Sequence, residues 1–192
     1  MKLLEERILR DGRVLPGQVL KVSTFLNHQM DSVLISELGS EIGKRFADAG
    51  VTKILTVESS GIALAFAVGC ALWVPVLFAK KHRTSNVSGN LYQTLVHSYT
   101  HGRDYTVVIE RDCLCHGDKV LIVDDFLANG KAAEGLLDLI SQAGAVPVGA
   151  AFAVEKGFQD GGRTLREKGL RVESLAIIEK MDENGIIFRE DN

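Results

Sequence analysis

The chain has 192 residues, with 22 basic and 25 acidic side chains, a net charge of −3 and 46% hydrophobic residues. That balance excludes a nucleic-acid surface built on bulk charge, and the length suits one domain with at most a small appendage around a sizeable core. Cys70, Cys113 and Cys115 are too few, and wrongly spaced, for a disulfide framework or a zinc site, so reduced thiols in a cytoplasmic protein are expected.

Residues 1–10 are amphipathic and charged, unlike the apolar segment of a signal peptide. The first thirty or so residues are expected to form a small hood over a sheet, within a single domain spanning 1–192. Leu34, Ile35, Leu38, Ile42 and Phe46 recur at helical spacing, which predicts a helix over 31–49 capped by Asp31 and ended by Gly50. A strand over 53–57, a small-residue helix over 61–73 and a strand over 75–79 follow. The apolar run 62–78 is as long as a short membrane span. Pro75 and the many small residues argue instead for a buried helix followed by a strand, with no membrane contact.

Residues 80–104 break the alternation. They are polar, with Thr84, Ser85, Asn86, Ser88, Gly89 and Asn90, and read as a lid over a functional site. Lys80, Lys81, His82 and Arg83 stand at its root, and Tyr92 and Tyr99 are candidates for its inward side. Strands over 105–110, 119–124, 146–154 and 172–178 and helices over 132–143 and 162–168 complete the pattern. Apolar strands alternating with helices predict an α/β fold with a parallel sheet and helices on both faces. Ligands in such sheets sit beyond the carboxyl ends of the strands.

The strongest motif lies there. An apolar strand, Val120 to Val123, ends in two adjacent acids, Asp124 and Asp125. A short loop, Ala128-Asn129-Gly130-Lys131-Ala132, then leads into a helix. Backbone N–H groups at such a loop and helix start can cradle a phosphate, and two carboxylates beside it can accept hydrogen bonds from sugar hydroxyls. Taken alone, the same residues would also serve as a plain turn and helix cap. A second strand–helix junction, Glu58-Ser59-Ser60-Gly61, offers further donors to an anion or, taken alone, an ordinary cap.

In its strand–loop–helix setting, Val123-Asp124-Asp125 with Ala128 to Ala132 resembles the phosphoribosyl pyrophosphate signature of type I phosphoribosyltransferases. The resemblance implies that Asp124 and Asp125 hold the ribose hydroxyls and that Ala128, Asn129, Gly130, Lys131 and Ala132 wrap the 5-phosphate. It further implies that Ser59, Ser60, Gly61 and Lys81 meet the pyrophosphate. The usual loop carries Thr or Ser hydroxyls. Ala128, Asn129 and Ala132 replace them here and Lys131 adds a cation, a departure similar to the xanthine branch of the family. That branch implies Leu20, Asn27 and Lys156 as base contacts, with Phe158 able to stack. The implied activity is purine salvage: phosphoribosyl transfer to xanthine, with magnesium carried on phosphoribosyl pyrophosphate, no protein metal ligands, no nucleic-acid partner, and a homodimer. An adenine-specific transferase fits less well, because of the loop and Lys156. A non-catalytic purine sensor of the same fold fits less well because no DNA-binding segment or basic surface is evident.

Overall fold

A computed structural model describes residues 1–82, 89–98, 103–183 and 185–190. The elements are α1 (Lys2–Asp11), β1 (Arg13–Leu15), β2 (Val19–Lys21), a π-helical turn (Ser23–Asn27), α2 (Ser32–Arg45), β3 (Lys53–Val57), α3 (Gly61–Leu72) and β4 (Val76–His82). They continue with β5 (Leu91–Ser98), β6 (Arg103–Glu110), β7 (Lys119–Leu127), α4 (Lys131–Gln142), β8 (Val146–Lys156), α5 (Gly161–Glu167), β9 (Val172–Asp182) and β10 (Gly185–Phe188). The expectations for Arg83, Thr84, Ser85, Asn86, Ser88 and Tyr99 lie outside the described residues.

The main sheet runs β10-β9-β8-β7-β3-β4-β6-β5. Its centre, β4, β3, β7, β8 and β9, is parallel, as the apolar strands predict. Antiparallel strands flank it: β10 beyond β9, and the β5–β6 hairpin beyond β4. Part of the polar stretch 80–104 is therefore sheet. Lys80, Lys81 and His82 extend β4 along β6, and residues 91–98 form the edge strand. Polar side chains on an edge strand hide its period, which is why the strand was not legible.

Side chains alternate between two cores, one on each face of the sheet. Ile54, Leu121, Val123, Ala151 and Ala153 pack toward α2, α3 and the hood, together with Leu4, Ile8, Phe25 and Leu26. Leu55, Ile122, Ala150 and Phe152 pack toward α4, against Leu136, Leu139 and Ile140. Asp31 caps α2 as predicted, its carboxylate accepting from Leu34 N–H at 3.2 Å. The helix stops at Arg45, four residues short of its expected end, where buried Phe46 turns out of helical geometry.

Helix α3 is not the buried helix expected. Its inner side meets α2 so closely that a Cβ on Gly39 would lie 2.5 Å from the Ala67 Cβ. Its outer side is apolar yet open: Phe66 is 64% exposed and Trp73 93%. Among the described residues no helix is long and apolar enough to cross a membrane.

Candidate active site

Strand β7 reaches further than its motif suggests. Its ladder with β3 stops at Ile122, opposite Leu55, whereas its ladder with β8 continues to Leu127, opposite Glu155. Asp124 and Asp125 thus lie within the second half of a central strand rather than at its end. Beyond Ile122 the β3 side of β7 is open, and the start of α3 fills it. A Cβ on Gly61 would fall 2.4 Å from Asp124 Oδ1 and 2.3 Å from Thr56 Oγ1, so only glycine lets α3 come this close.

Successive residues of a strand point to opposite faces, so the two acids part. Asp125 turns to the hood, accepting from Ser60 Oγ at 2.9 Å and from Asn27 Nδ2 at 3.3 Å. Asp124 turns to the α4 side, where its Oδ1 accepts the backbone N–H of Asp125 at 2.9 Å. Among the described residues neither acid has an ion-pair partner. Burial pushes the Asp124 carboxyl well above the usual carboxylate range, and the neighbouring Asp125 charge adds to this, while Lys81 opposes it. Burial, and then the charge of Asp124, also raises the Tyr105 phenol. Lys81 stands over the Tyr105 ring, with Nζ 5.3 Å from the centroid. The Lys81 backbone N–H donates to Glu58 Oε1 at 2.6 Å, which ties β4 to the junction ahead of α3. The Glu58–Ser59 peptide is cis, and the Ser59 carbonyl accepts from Ile62 N–H.

The loop after β7 turns through Gly130, whose φ of +76° suits glycine, and enters α4 at Lys131. It is braced from behind by α5. Gly161 N–H donates to the Ala128 carbonyl at 3.1 Å, and a Cβ on Gly161 would meet that oxygen at 2.2 Å. A cavity of about 150 Å³ lies between Asp124 and residues 128–132, with His97 on its wall. Asp124 and the loop therefore face one space, while Asp125 faces Ser60 and Asn27 on the other side of the strand. Lys131 bonds Glu134 at 2.7 Å in the first turn of α4, so its ammonium is engaged within its own helix.

Of the base candidates, Leu20 and Asn27 lie in the hood, and Lys156 ends β8. Leu20 is buried in the hood-side core, and Asn27 reaches Asp125. Lys156 is half-buried with its ammonium on the Gln18 carbonyl at 2.9 Å, and burial lowers its pKa. Phe158 packs against the same core. Tyr92 is not brought to the site: it sits at the foot of the hairpin beneath the Arg111 guanidinium, 4.6 Å from its centroid.

Glu58 was seen only as part of its junction, and His97 and Tyr105 were missed because strand register, which assembles them, is not written locally in the sequence. Glu155 left a clearer signal, being the acid that directly follows the apolar run Ala150 to Val154. It is buried, held by Arg166 through two bonds of 2.8 Å and by Ser174 at 2.6 Å. Burial would raise its pKa, but these partners outweigh burial and lower it. An acid and a backbone loop facing one space, with a second acid on the opposite face of the same strand and an anion-competent helix start alongside, suit a ligand bearing both hydroxyls and phosphate.

Known proteins agree with that description. No protein-family model matches the chain. A xanthine phosphoribosyltransferase of Ruminiclostridium cellulolyticum is 50% identical over 190 residues, covering 99% of this chain and 100% of that protein. One from Bacillus cereus is 50% identical over 188 residues, covering 98% and 95%. Among solved structures, an adenine phosphoribosyltransferase of Trypanosoma brucei, in complex with AMP, pyrophosphate and ribose-5-phosphate, superposes with a TM-score of 0.77. It is 15% identical and covers 95% of this chain and 82% of its own, which establishes the fold. At half identity over nearly its whole length, the chain belongs to the xanthine phosphoribosyltransferase family.

Proposed function

We propose that the chain transfers the 5-phosphoribosyl group of phosphoribosyl pyrophosphate to xanthine, giving xanthosine 5′-monophosphate and pyrophosphate in the purine salvage of the cytoplasm. The observation that carries this reading is the meeting of Asn27 with Asp125, which sets the hood directly against the acid pair. In the reaction a xanthine ring nitrogen bonds to C1 of the ribose as the bond from C1 to the pyrophosphate oxygen breaks. The proton on that nitrogen leaves to solvent. Asp124 and Asp125 accept hydrogen bonds from the ribose hydroxyls, and residues 128–132 offer backbone N–H groups to the 5-phosphate. Ser59, Ser60, Gly61 and Lys81 stand on the pyrophosphate side. These groups fix the geometry of displacement and meet charge as it develops on the leaving group.

Among the described residues no group of three or more potential ligands could hold a metal. Two carboxylates beside a phosphate cradle suit magnesium that arrives with the substrate, since this ion takes one or two carboxylates plus phosphate oxygens. Bound there by Asp124 or Asp125, magnesium would neutralise phosphate charge. Leu20, Asn27 and Lys156 read the base. The Lys156 ammonium suits the C2 oxygen that distinguishes xanthine from hypoxanthine, and Asn27 can donate and accept at a ring edge.

The open stripe of Phe66, Cys70 and Trp73 along α3 supports a homodimer closed through that face. Calorimetry tests the ribose assignment. Asp124→Asn with Asp125→Asn should abolish phosphoribosyl pyrophosphate binding in a folded protein, and unchanged affinity would refute it.

A further inference from the structure

A second charged cleft lies on the outer side of the hood, away from Leu20 and the core. It has a volume of about 530 Å³ and is walled by α1, the β1–β2 hairpin and the start of the π-helical turn. Arg7, Arg10, Arg13 and Lys21 line it, with Asp11 as the one acid among the described lining residues and Ser23 and Thr24 beside them.

Not all of that charge is available. Arg7 bonds Asp11 at 2.7 Å and Asp31 at 3.0 Å, and Arg10 bonds Asp11 at 3.1 Å. Arg13 and Lys21 are different. They are cross-strand partners in the β1–β2 register, and among the described residues neither has an ion pair or a hydrogen-bonded side chain. Like charges directly opposite on a hairpin destabilise it, and among the described residues no ion pair offsets these two. A bound anion would. The cleft offers cations and hydroxyls and no aromatic wall, the chemistry of phosphate recognition.

The cleft is also connected to the reaction centre. Ser23 and Thr24 open the π-helical turn and Asn27 closes it on Asp125, so one turn has an end at each site. We propose that this cleft is an effector site for a small phosphorylated anion carrying two or more negative charges, and that its occupancy reaches the acid pair through Asn27. Only the second clause rests on the function proposed above.

Inorganic pyrophosphate and ATP, titrated separately at about 0.15 M salt, distinguish a bare phosphate anion from a nucleotide. In the wild-type protein, at least one probe should show a binding event beyond that at the acid pair, and this event should persist in Asp124→Asn with Asp125→Asn. Arg13→Glu with Lys21→Glu should weaken the extra event at least tenfold and leave the other unchanged. Arg13→Ala with Lys21→Ala, which relieves the repulsion and so preserves the fold, should weaken it in the same direction. Occupancy should change the KM for xanthine at least twofold in wild type and not in the charge-reversed variant. The absence of an extra event for both probes, or equal weakening of both events on charge reversal, would overturn the site. A saturated cleft with an unchanged KM would overturn its role as an effector site.

Discussion

Asn27 in the hood donates its side-chain amide to Asp125 in β7 across 98 residues of chain, at 3.3 Å. The bond joins the two parts of the site that sequence alone keeps separate. Removing it with Asn27→Ala should raise the KM for xanthine about tenfold, the scale of one hydrogen bond to a charged group. Asn27→Asp, which sets a second carboxylate against Asp125, should be worse than alanine in both KM and kcat. Steady-state kinetics of the two variants check this, and equal, unchanged constants would show the contact to be incidental.

Gly61 should accept no side chain. A methyl group there meets Asp124 Oδ1 and Thr56 Oγ1 well inside van der Waals contact, so α3 or β7 must shift. Gly61→Ala is expected to destabilise the fold by about 1–3 kcal/mol, the usual range for overpacking, and to lower phosphoribosyl pyrophosphate affinity as well. Urea denaturation with a parallel binding titration measures both. Retention of both would mean that the helix start adapts freely.

Much of this arrangement was legible in the sequence, and what was not has physical causes. Apolar strands alternating with helices gave the parallel centre, and Asp31 gave the start of α2, because burial and capping leave local patterns. Asp124, Asp125 and the loop at Ala128 to Ala132 stand out in the sequence because one strand–loop–helix unit carries them. The edge strand 91–98 was not found, because its polar face resembles a loop. Nor were His97 and Tyr105, whose places depend on the register of β5 and β6. Lys131 drew attention as a cation, yet Glu134, one turn along, engages it. Helix α3 read as buried because its outer face is as apolar as its inner one. Composition alone does not distinguish a core from a face awaiting a partner.

Asp124 should make the unliganded protein less stable as pH rises. Its folded-state pKa lies above its unfolded value, so the folded carboxyl holds its proton more tightly. Stability from this group is therefore fully present below the unfolded pKa, near 3.8, and is lost as pH climbs through the raised folded value. Asp124→Asn removes that loss, since the amide oxygen can still accept the Asp125 N–H. The variant should melt at a higher temperature than wild type at neutral pH, with the gap closing in acid, while binding no phosphoribosyl pyrophosphate. A lower melting temperature across the whole pH range would contradict the direction assigned to Asp124.

The α3 face should be covered by a second copy of the chain. Phe66→Glu places a charge in the middle of the open apolar stripe and should shift the mass in light scattering from that of a dimer to the 20.9 kDa of one chain. Trp73, the single tryptophan, should emit further to the red in the variant as it becomes exposed to water. A monomeric wild-type protein, or a dimer undisturbed by the charge, would put the interface elsewhere.

Phosphoribosyl transfer to xanthine is tested most directly by kcat/KM for a panel of bases with phosphoribosyl pyrophosphate and magnesium. Xanthine should give the highest value, and hypoxanthine, which lacks the C2 oxygen proposed for Lys156, should fall at least tenfold below it, the scale of one charged hydrogen bond. Adenine should fall lower still. A preference for adenine, or no pyrophosphate release with any oxopurine in a folded protein, would contradict the assignment.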